Sequence, residues 1–204
     1  MKLMLNRLAL PAILTIAAPA LAQSGDLAQV RRHLAETSSM TASFSQTDRA
    51  NKVLNGTLTL KRPGKIRFQY EKGVPILIVG DGKSLYFVDY SVKQVSRWPV
   101  GNSPLAVLLD PRKDISRFAR VQPTNNPNVV SVEVRDPGHP EYGRITMIFQ
   151  KGGGGPAGLT LQGWVALDSQ NNRTTIRLSN QQFNGPVSDG AFRWSDPRSA
   201  GGRR

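Results

Sequence analysis

A two-residue alternation of apolar and polar side chains runs through most of this chain from Thr41 onward. Successive side chains of a β-strand point to opposite faces, so this alternation is typical of strands with one buried face. Helical segments do not alternate with these strands, which excludes a doubly wound α/β fold. We therefore predict a mainly β protein built from one highly curved antiparallel sheet, or a barrel, of about ten or eleven strands.

The predicted strands follow pairs of apolar residues and are separated by turns rich in Gly, Pro, Asn and Asp. The first strands carry the apolar positions Ala42/Phe44, Leu58/Leu60, Ile66/Phe68/Tyr70, Ile76/Ile78 and, with a slip, Val92/Val95. Five further strands are predicted at 115–122, 128–136, 142–150, 158–168 and 172–183.

Two helices are predicted beside the sheet. Residues 26–40 place Leu27, Val30, Leu34 and, less regularly, Met40 at helical spacing, which indicates an amphipathic helix. Residues 103–110 begin with Ser and Pro, the residue types that favour a helix start, and continue with five apolar residues. This second segment predicts a very short helix that ends before Pro111.

Residues 1–22 have the features of a secretory signal peptide. Lys2 and Arg7 precede an apolar run, and Ala20-Leu21-Ala22 is a small-residue cleavage site. The apolar run is too short to span the ~30 Å of a membrane's hydrocarbon core, so we expect cleavage after Ala22 rather than a retained anchor. The mature chain, 23–204, is then expected to be one exported domain.

The composition restricts the chemistry and the partners of this chain. It contains no cysteine, which excludes disulfides, thiol catalysis and the acylated cysteine of a lipid-anchored lipoprotein. After removal of the leader, 25 basic residues face 14 acidic ones, a net charge of +11. Acidic partner surfaces or anionic lipids are therefore candidates, whereas export makes nucleic acid an unexpected partner. The charge either guides docking or is a solvated face; its clearest run is Lys61, Lys65, Arg67, Lys72, Lys83, Lys93 and Arg97.

Catalytic and metal-binding patterns are missing from the sequence. The two histidines, His33 and His139, are expected at the surface and have no further ligand at metal spacing. Neither a carboxylate pair beside a nucleophile nor a GxSxG motif occurs, and Gly152 to Gly155 is best interpreted as a hairpin turn. We expect no enzyme activity, no metal and no cofactor.

One face of the first strands is strongly apolar. Its members are Leu58, Leu60, Ile66, Phe68, Tyr70, Ile76, Ile78 and Trp98. In a curled sheet this face lines a concavity that would suit acyl chains. Periodicity alone does not distinguish such a cavity from an ordinary barrel core.

Arg62 follows the strand that carries Leu58 and Leu60, and its parity places it on the same face. A guanidinium that points into an apolar hollow needs hydrogen-bond acceptors. The alternative is a strand-end arginine that turns out to solvent, and the residues alone leave both interpretations open.

Several segments, taken in order, resemble the periplasmic outer-membrane lipoprotein carrier family, LolA. The resemblance is strong from Thr41 to Pro111, weak through 112–183, and returns at Phe192-Arg193-Trp194, which resembles the family's closing strand. It rests on the opening helix and on Ala42 to Gln46, Gly56 to Pro63, Ile66 to Tyr70, Ile76 to Phe87, Gln94 to Trp98 and Gly101 to Leu105.

The resemblance implies a half-open antiparallel barrel of about eleven strands, with helices as a lid over an apolar cavity. The role that falls on Arg62 is a bond to the lid backbone. The positions implied to face the lid are Leu34, Leu105, Val107 and Leu108. Ile66 matches a cavity position that is often aromatic in the family.

The function implied by the resemblance is that of a monomeric periplasmic carrier of acylated lipoproteins. Such a carrier receives its cargo from an inner-membrane ABC-type release complex, delivers it to an outer-membrane receptor, and uses no cofactor. Three alternatives remain: a receptor of the same fold, which normally has a lipid anchor; an exported β-barrel hydrolase; and an envelope-sensing or lipid-binding protein with the same half-barrel.

Overall fold

The computed structural model describes residues 18–103, 105–110 and 115–198, with side chains from Ser24 onward. The predicted leader therefore lies largely outside the described residues, as do Pro104 and Pro111. The helices are α1 (Ala18–Glu36) and α2 (Ala106–Leu109). The strands are β1 (Ser39–Thr47), β2 (Val53–Lys61), β3 (Lys65–Tyr70), β4 (Ile76–Asp81), β5 (Ser84–Asp89), β6 (Gln94–Pro99), β7 (Ala119–Gln122), β8 (Val129–Arg135), β9 (Arg144–Lys151), β10 (Leu159–Leu167) and β11 (Arg173–Phe183).

The eleven strands form one antiparallel sheet in the order β6-β5-β4-β3-β2-β1-β11-β10-β9-β8-β7. Consecutive strands pair with each other, except β6 and β7, and the pairing of β1 with β11 joins the two halves of the sheet. Strands β6 and β7 form the two edges, so the sheet is open and does not close into a barrel. This confirms the predicted half-open, mainly β architecture of about eleven strands.

The strand register brings the predicted apolar positions to one face. Leu58 lies opposite Phe68, and Leu60 lies opposite Ile66, so that all four side chains share the concave side. Each of them is at most 3% exposed and belongs to the main apolar core. Val92, by contrast, lies in the turn before β6 and is 66% exposed, so its predicted strand position is wrong.

Helix α1 differs from its prediction at both ends. It begins at Ala18, ahead of the predicted start at residue 26, and it ends at Glu36, so Met40 is a buried residue of β1. The end of the helix is fixed from the far end of the chain. Asn184 Nδ2 donates a hydrogen bond to the Glu36 carbonyl at 3.0 Å, and Asn184 Oδ1 accepts one from Ser38 N at 2.8 Å. Within the described residues, neither helix is both long and apolar enough to span a membrane.

The C-terminal segment does not form the closing strand that was predicted at 192–194. Residues 189–192 form a 3₁₀ helix, and Phe192 is 5% exposed on the convex face of the sheet. There it packs in a second core with Leu77, Val79 and Val88, which point away from the main core. Residues 184–194 are called the C-terminal strap below. The strap covers an outward apolar patch that water would otherwise contact.

Candidate functional site

A cavity of about 250 Å³ lies between the concave face and the segment that contains α2. Its apolar lining comprises Phe68, Ile78, Leu85, Trp98, Leu105, Trp164, Ala166 and Ile176, and its polar lining comprises Gln46, Ser103, Asp168, Asn172 and Thr174. Binding sites for small molecules usually enclose roughly 300–1,000 Å³. The cavity is therefore small with α2 in this position.

Helix α2 covers the concave face. Its residues Val107, Leu108 and Leu109 are at most 5% exposed and belong to the same apolar cluster as Leu60 and Ile66. Because a helix of four residues has no independent stability, packing and hydrogen bonds must hold it there. The space that these side chains fill would become available if α2 moved away.

Arg62 connects the end of β2 to α2. Its Nε donates a hydrogen bond to the Leu108 carbonyl at 2.8 Å, and its backbone N–H donates to Ser38 O at 2.9 Å. Burial lowers the pKa of Arg62 to about 10, while the negative charge of Asp110 favours the protonated form. The guanidinium thus stays charged at neutral pH. Its NH1 atom is buried and has no hydrogen-bond partner among the described residues.

Gly64 supplies a second bond to α2, which sequence reasoning missed. Its backbone N–H donates to the Leu109 carbonyl at 2.9 Å. Gly64 has a φ of 74°, and a Cβ at this position would collide with the carbonyl of Gly82. The Pro63-Gly64 dipeptide is typical of a turn, but it does not indicate a contact with α2.

His33 is buried in the interface between α1 and the sheet, so its predicted surface position is wrong. It is 1% exposed, and its Nδ1 lies 2.9 Å from the Pro156 carbonyl. The rings of Phe149 and Phe183 contact it edge-on, with centroids at 5.2 and 5.4 Å. Burial, together with the nearby charge of Arg62, lowers the pKa of His33. Its helical spacing with Val30, which placed it on the buried face, was the missed signal.

Polar side chains of α1 add three contacts to the end of β9 and to the turn that follows it. Gln29 Nε2 donates to Ala157 O at 2.9 Å, and Glu36 Oε2 accepts from Ala157 N at 3.0 Å. Lys151 and Asp26 form an ion pair at 2.6 Å. Leu34 of α1 is 7% exposed within the main core. Side-chain contacts thus anchor α1 to the sheet along much of its described length.

The predicted lining residues divide into two groups. Phe68, Ile78, Trp98 and Leu105 line the cavity, whereas Leu58, Leu60, Ile66 and Tyr70 are buried in the core around it. Phe68 packs edge-on against Trp164, with ring centroids 6.2 Å apart. The lining residues that were not predicted include Gln46, Leu85, Trp164 and Ile176, which face inward from β1, β5, β10 and β11.

Part of the predicted basic surface holds the strap. Lys61 and Lys65 form ion pairs with Asp189 at 2.7 and 2.9 Å. Arg67 donates to the carbonyls of Ala191 and Arg193 at 3.3 and 2.9 Å. These three cations therefore have partners on the convex face. The other members of the run, Lys72, Lys83, Lys93 and Arg97, are exposed.

Within the described residues, no three His, Asp or Glu side chains lie close enough together to hold a metal ion. His139 is at the surface, as predicted, with its ring stacked on Tyr142 at 4.6 Å and its Nδ1 3.0 Å from Glu141 Oε1. What the cavity offers a ligand is apolar surface with a polar end.

Comparison with known proteins identifies the family. The model of the family "Outer membrane lipoprotein carrier protein LolA" matches residues 35–195. An outer-membrane lipoprotein carrier protein of Dechloromonas aromatica is 28% identical over 191 residues, 89% of each chain. One of Chromobacterium violaceum is 29% identical over 192 residues, 90% of this chain and 88% of that one. The crystal structure of a LolA superfamily protein from Nitrosomonas europaea is similar over 84% of this chain and 97% of that one, with a TM-score of 0.46 and 10% identity. Since the family model covers most of the chain, this protein belongs to the LolA family of outer membrane lipoprotein carrier proteins.

Proposed function

We propose that this protein carries acylated lipoproteins through the periplasm, with their acyl chains held against the concave face beneath α2. The observation that carries the proposal is a short buried helix that covers a continuous apolar face and leaves a cavity beside it. The family is one of carrier proteins and not of enzymes, which agrees with an apolar binding surface.

The physics of the cargo explains why a carrier is needed. An acyl chain of about sixteen carbons gains roughly 0.8 kcal/mol for each CH₂ group that leaves water, or about 12 kcal/mol per chain. Spontaneous transfer through an aqueous compartment is therefore negligible. A carrier has to replace the membrane with an apolar surface of its own.

Release of the cargo requires a competitor for the same surface. Val107, Leu108 and Leu109 of α2 already bury their side chains against the concave face. An acyl chain that enters must displace them, and their return favours its departure. The protein thereby gains a closed state that competes with the lipid without any energy source in the carrier.

We propose that Arg62 stabilises this closed state through its bond to the Leu108 carbonyl. The apolar side chains that line or cover the binding surface are Leu34, Leu58, Leu60, Ile66, Phe68, Tyr70, Leu105, Val107 and Leu108.

The proposed route of the cargo runs from the inner membrane through the periplasm to the outer membrane. Residues 1–22 direct export, and residues 23–204 act as one monomeric domain in the periplasm. An inner-membrane ABC-type complex supplies the lipoprotein, and an outer-membrane receptor accepts it. The names of the relatives, as outer-membrane lipoprotein carriers, support this direction of transport.

The experiment places a charge in the cavity. Ile78 lines the cavity and is half-buried, so Ile78→Glu adds a carboxylate that an acyl chain would have to desolvate. Thr57→Glu, on the exposed convex side of β2, is the matched control. Release of a lipoprotein from spheroplasts into the soluble fraction should fail with Ile78→Glu and proceed with Thr57→Glu, while circular dichroism shows that both variants are folded. Equal release by the two folded variants would refute binding at this cavity.

A further inference from the structure

The cavity has a polar end formed by Gln46 and Thr174. Gln46 lies opposite Ile176 in the pairing of β1 with β11, and Thr174 follows on the same face of β11. Asp168 and Asn172 extend this end toward the turn between β10 and β11. The cavity thus matches an amphiphile, with apolar walls and hydrogen-bonding groups at one side.

Tyr70 fixes the orientation of the Gln46 amide. The Tyr70 hydroxyl is buried and donates a hydrogen bond to Gln46 Oε1 at 2.8 Å. Burial raises the pKa of Tyr70 to about 12, so the hydroxyl remains a donor at neutral pH. With its oxygen occupied, the amide turns its two N–H donors away from Tyr70. Gln46 Nε2 has no hydrogen-bond acceptor within the part of the chain that the structure describes. The Gln46 side chain is half-buried, so part of it remains exposed.

The charges around this end compensate each other. The Asp168 carboxylate accepts hydrogen bonds from Asn172, whose side-chain oxygen in turn accepts one from Arg49 at 2.8 Å. The bond from Asn172, with a further contribution from Arg49, lowers the pKa of Asp168, so this carboxylate is ionised at neutral pH and lies near the positive charge of Arg49. A neutral acceptor, such as a carbonyl oxygen, complements the neutral N–H donors of Gln46, while the negative charge of Asp168 at the same end of the cavity disfavours a carboxylate or a phosphate.

We propose that Gln46, oriented by Tyr70, donates a hydrogen bond to the ester carbonyl of a bound acyl chain. This inference rests on the proposed function and adds to it the chemical group, an ester carbonyl, that the site recognises. The site then distinguishes ester-linked acyl chains from alkyl chains of the same length, instead of selecting for hydrophobicity alone.

Two lipopeptides test the proposal: one with two palmitoyl esters on its thioglycerol, and one with two hexadecyl ethers on the same peptide. One hydrogen bond to a neutral carbonyl should make the ester compound bind wild-type protein about 3- to 10-fold more tightly. Gln46→Met should abolish the ester preference, so that the ratio of the two affinities falls from about 3–10 to about one. Tyr70→Phe keeps the amide but removes its orientation, so it should reduce the ester preference in the same direction. Gln162→Met, at an exposed position of β10, should preserve it.

The outcomes separate this inference from the proposed function. Equal affinity of wild-type protein for the two lipopeptides would overturn the role of Gln46 while leaving the carrier function intact. An ester preference that survives in both folded variants would also overturn it. Failure of wild-type protein to bind either compound would refute the proposed function, and this inference with it.

Discussion

Substitution of Arg62 by leucine tests how the closed state is maintained. The change removes the donor to the Leu108 carbonyl but leaves the Gly64 bond to Leu109 in place. Helix α2 should therefore remain docked in most molecules and open more often.

The size of the effect follows from three contributions. A hydrogen bond from a charged donor contributes roughly 1.5–3 kcal/mol, and a buried donor without a partner, such as NH1, costs roughly 1–3 kcal/mol. The attraction between Arg62 and Asp110 offsets part of that cost. We therefore expect the guanidinium to favour the closed state by about 1–2 kcal/mol, which corresponds to a roughly 5- to 30-fold change in the open population.

Amide hydrogen exchange measures this population directly. The Asp110 amide is bonded within α2, to Ala106 O, and the Gly64 amide is bonded to α2 at Leu109. Both should exchange about 5 to 30 times faster in Arg62→Leu, whereas amides of the interior strands β9 and β10 should keep their rates. Lys61→Met is the matched control, because it removes the neighbouring cation, which binds Asp189 on the convex face.

The functional consequence is slower delivery. A larger open population favours the loaded carrier, so transfer from loaded Arg62→Leu to the outer-membrane receptor should be slower than from wild-type protein, while loading is retained. Unchanged exchange at both amides together with normal transfer would refute the reasoning and leave Arg62 as a purely structural residue.

The remaining predictions concern pH, the strap and the charged surface. Because the pKa of His33 is lowered in the folded state, the unfolded chain takes up a proton that the folded one resists, so the free energy of unfolding should fall as pH drops below about 6.5. Urea titrations at pH 7.5 and 5.5 should show that His33→Gln flattens this dependence and that His139→Gln does not. Asp189→Asn should release the strap from Lys61 and Lys65 and speed proteolysis between residues 184 and 194; an unchanged cleavage rate would contradict this. If Lys72, Lys83, Lys93 and Arg97 guide docking, the association rate with a partner should fall as salt rises and screening shortens to about 8 Å; a rate independent of salt would leave them as a solvated face.

The local alternation of apolar and polar residues was sufficient to predict most of the sheet. The alternation at Leu58 and Leu60 and at Ile66 and Phe68 predicted both the strands and their buried face, because each pair lies on strands joined by a short turn. The short helix at 106–109 was predicted from Ser103 and Pro104 before it, from Pro111 after it, and from the apolar residues between the two prolines.

Contacts between distant parts of the chain could not be predicted in this way. His33 lies against the Pro156 carbonyl, 123 residues away in the chain. The residues next to His33 in the sequence do not indicate that β9 and β10 will bury it. Residues 192–194 were predicted as a strand because they resemble the closing strand of the family. Its actual place depends on the outward apolar patch of Leu77 and Val79, which only the folded sheet assembles.

The candidate site was predicted in part for the same reason. Phe68, Ile78 and Trp98 were assigned to the lining from the first strands, where the buried face could be counted. Trp164 and Ile176 come from the other half of the sheet, and β1 brings them near Phe68 only through its pairing with β11. Gln46 was overlooked because the role of an inward-facing polar residue cannot be inferred before its hydrogen-bond partner, Tyr70, is known.

Native mass spectrometry of the mature protein, produced together with a lipoprotein, tests the central claim most directly. The comparison is with the same lipoprotein whose acylated cysteine is replaced by alanine. We expect a one-to-one complex whose mass includes the acyl chains, and no complex with the unacylated form. Equal recovery of both forms, or recovery of the carrier without either, would contradict the account of an acyl-binding carrier.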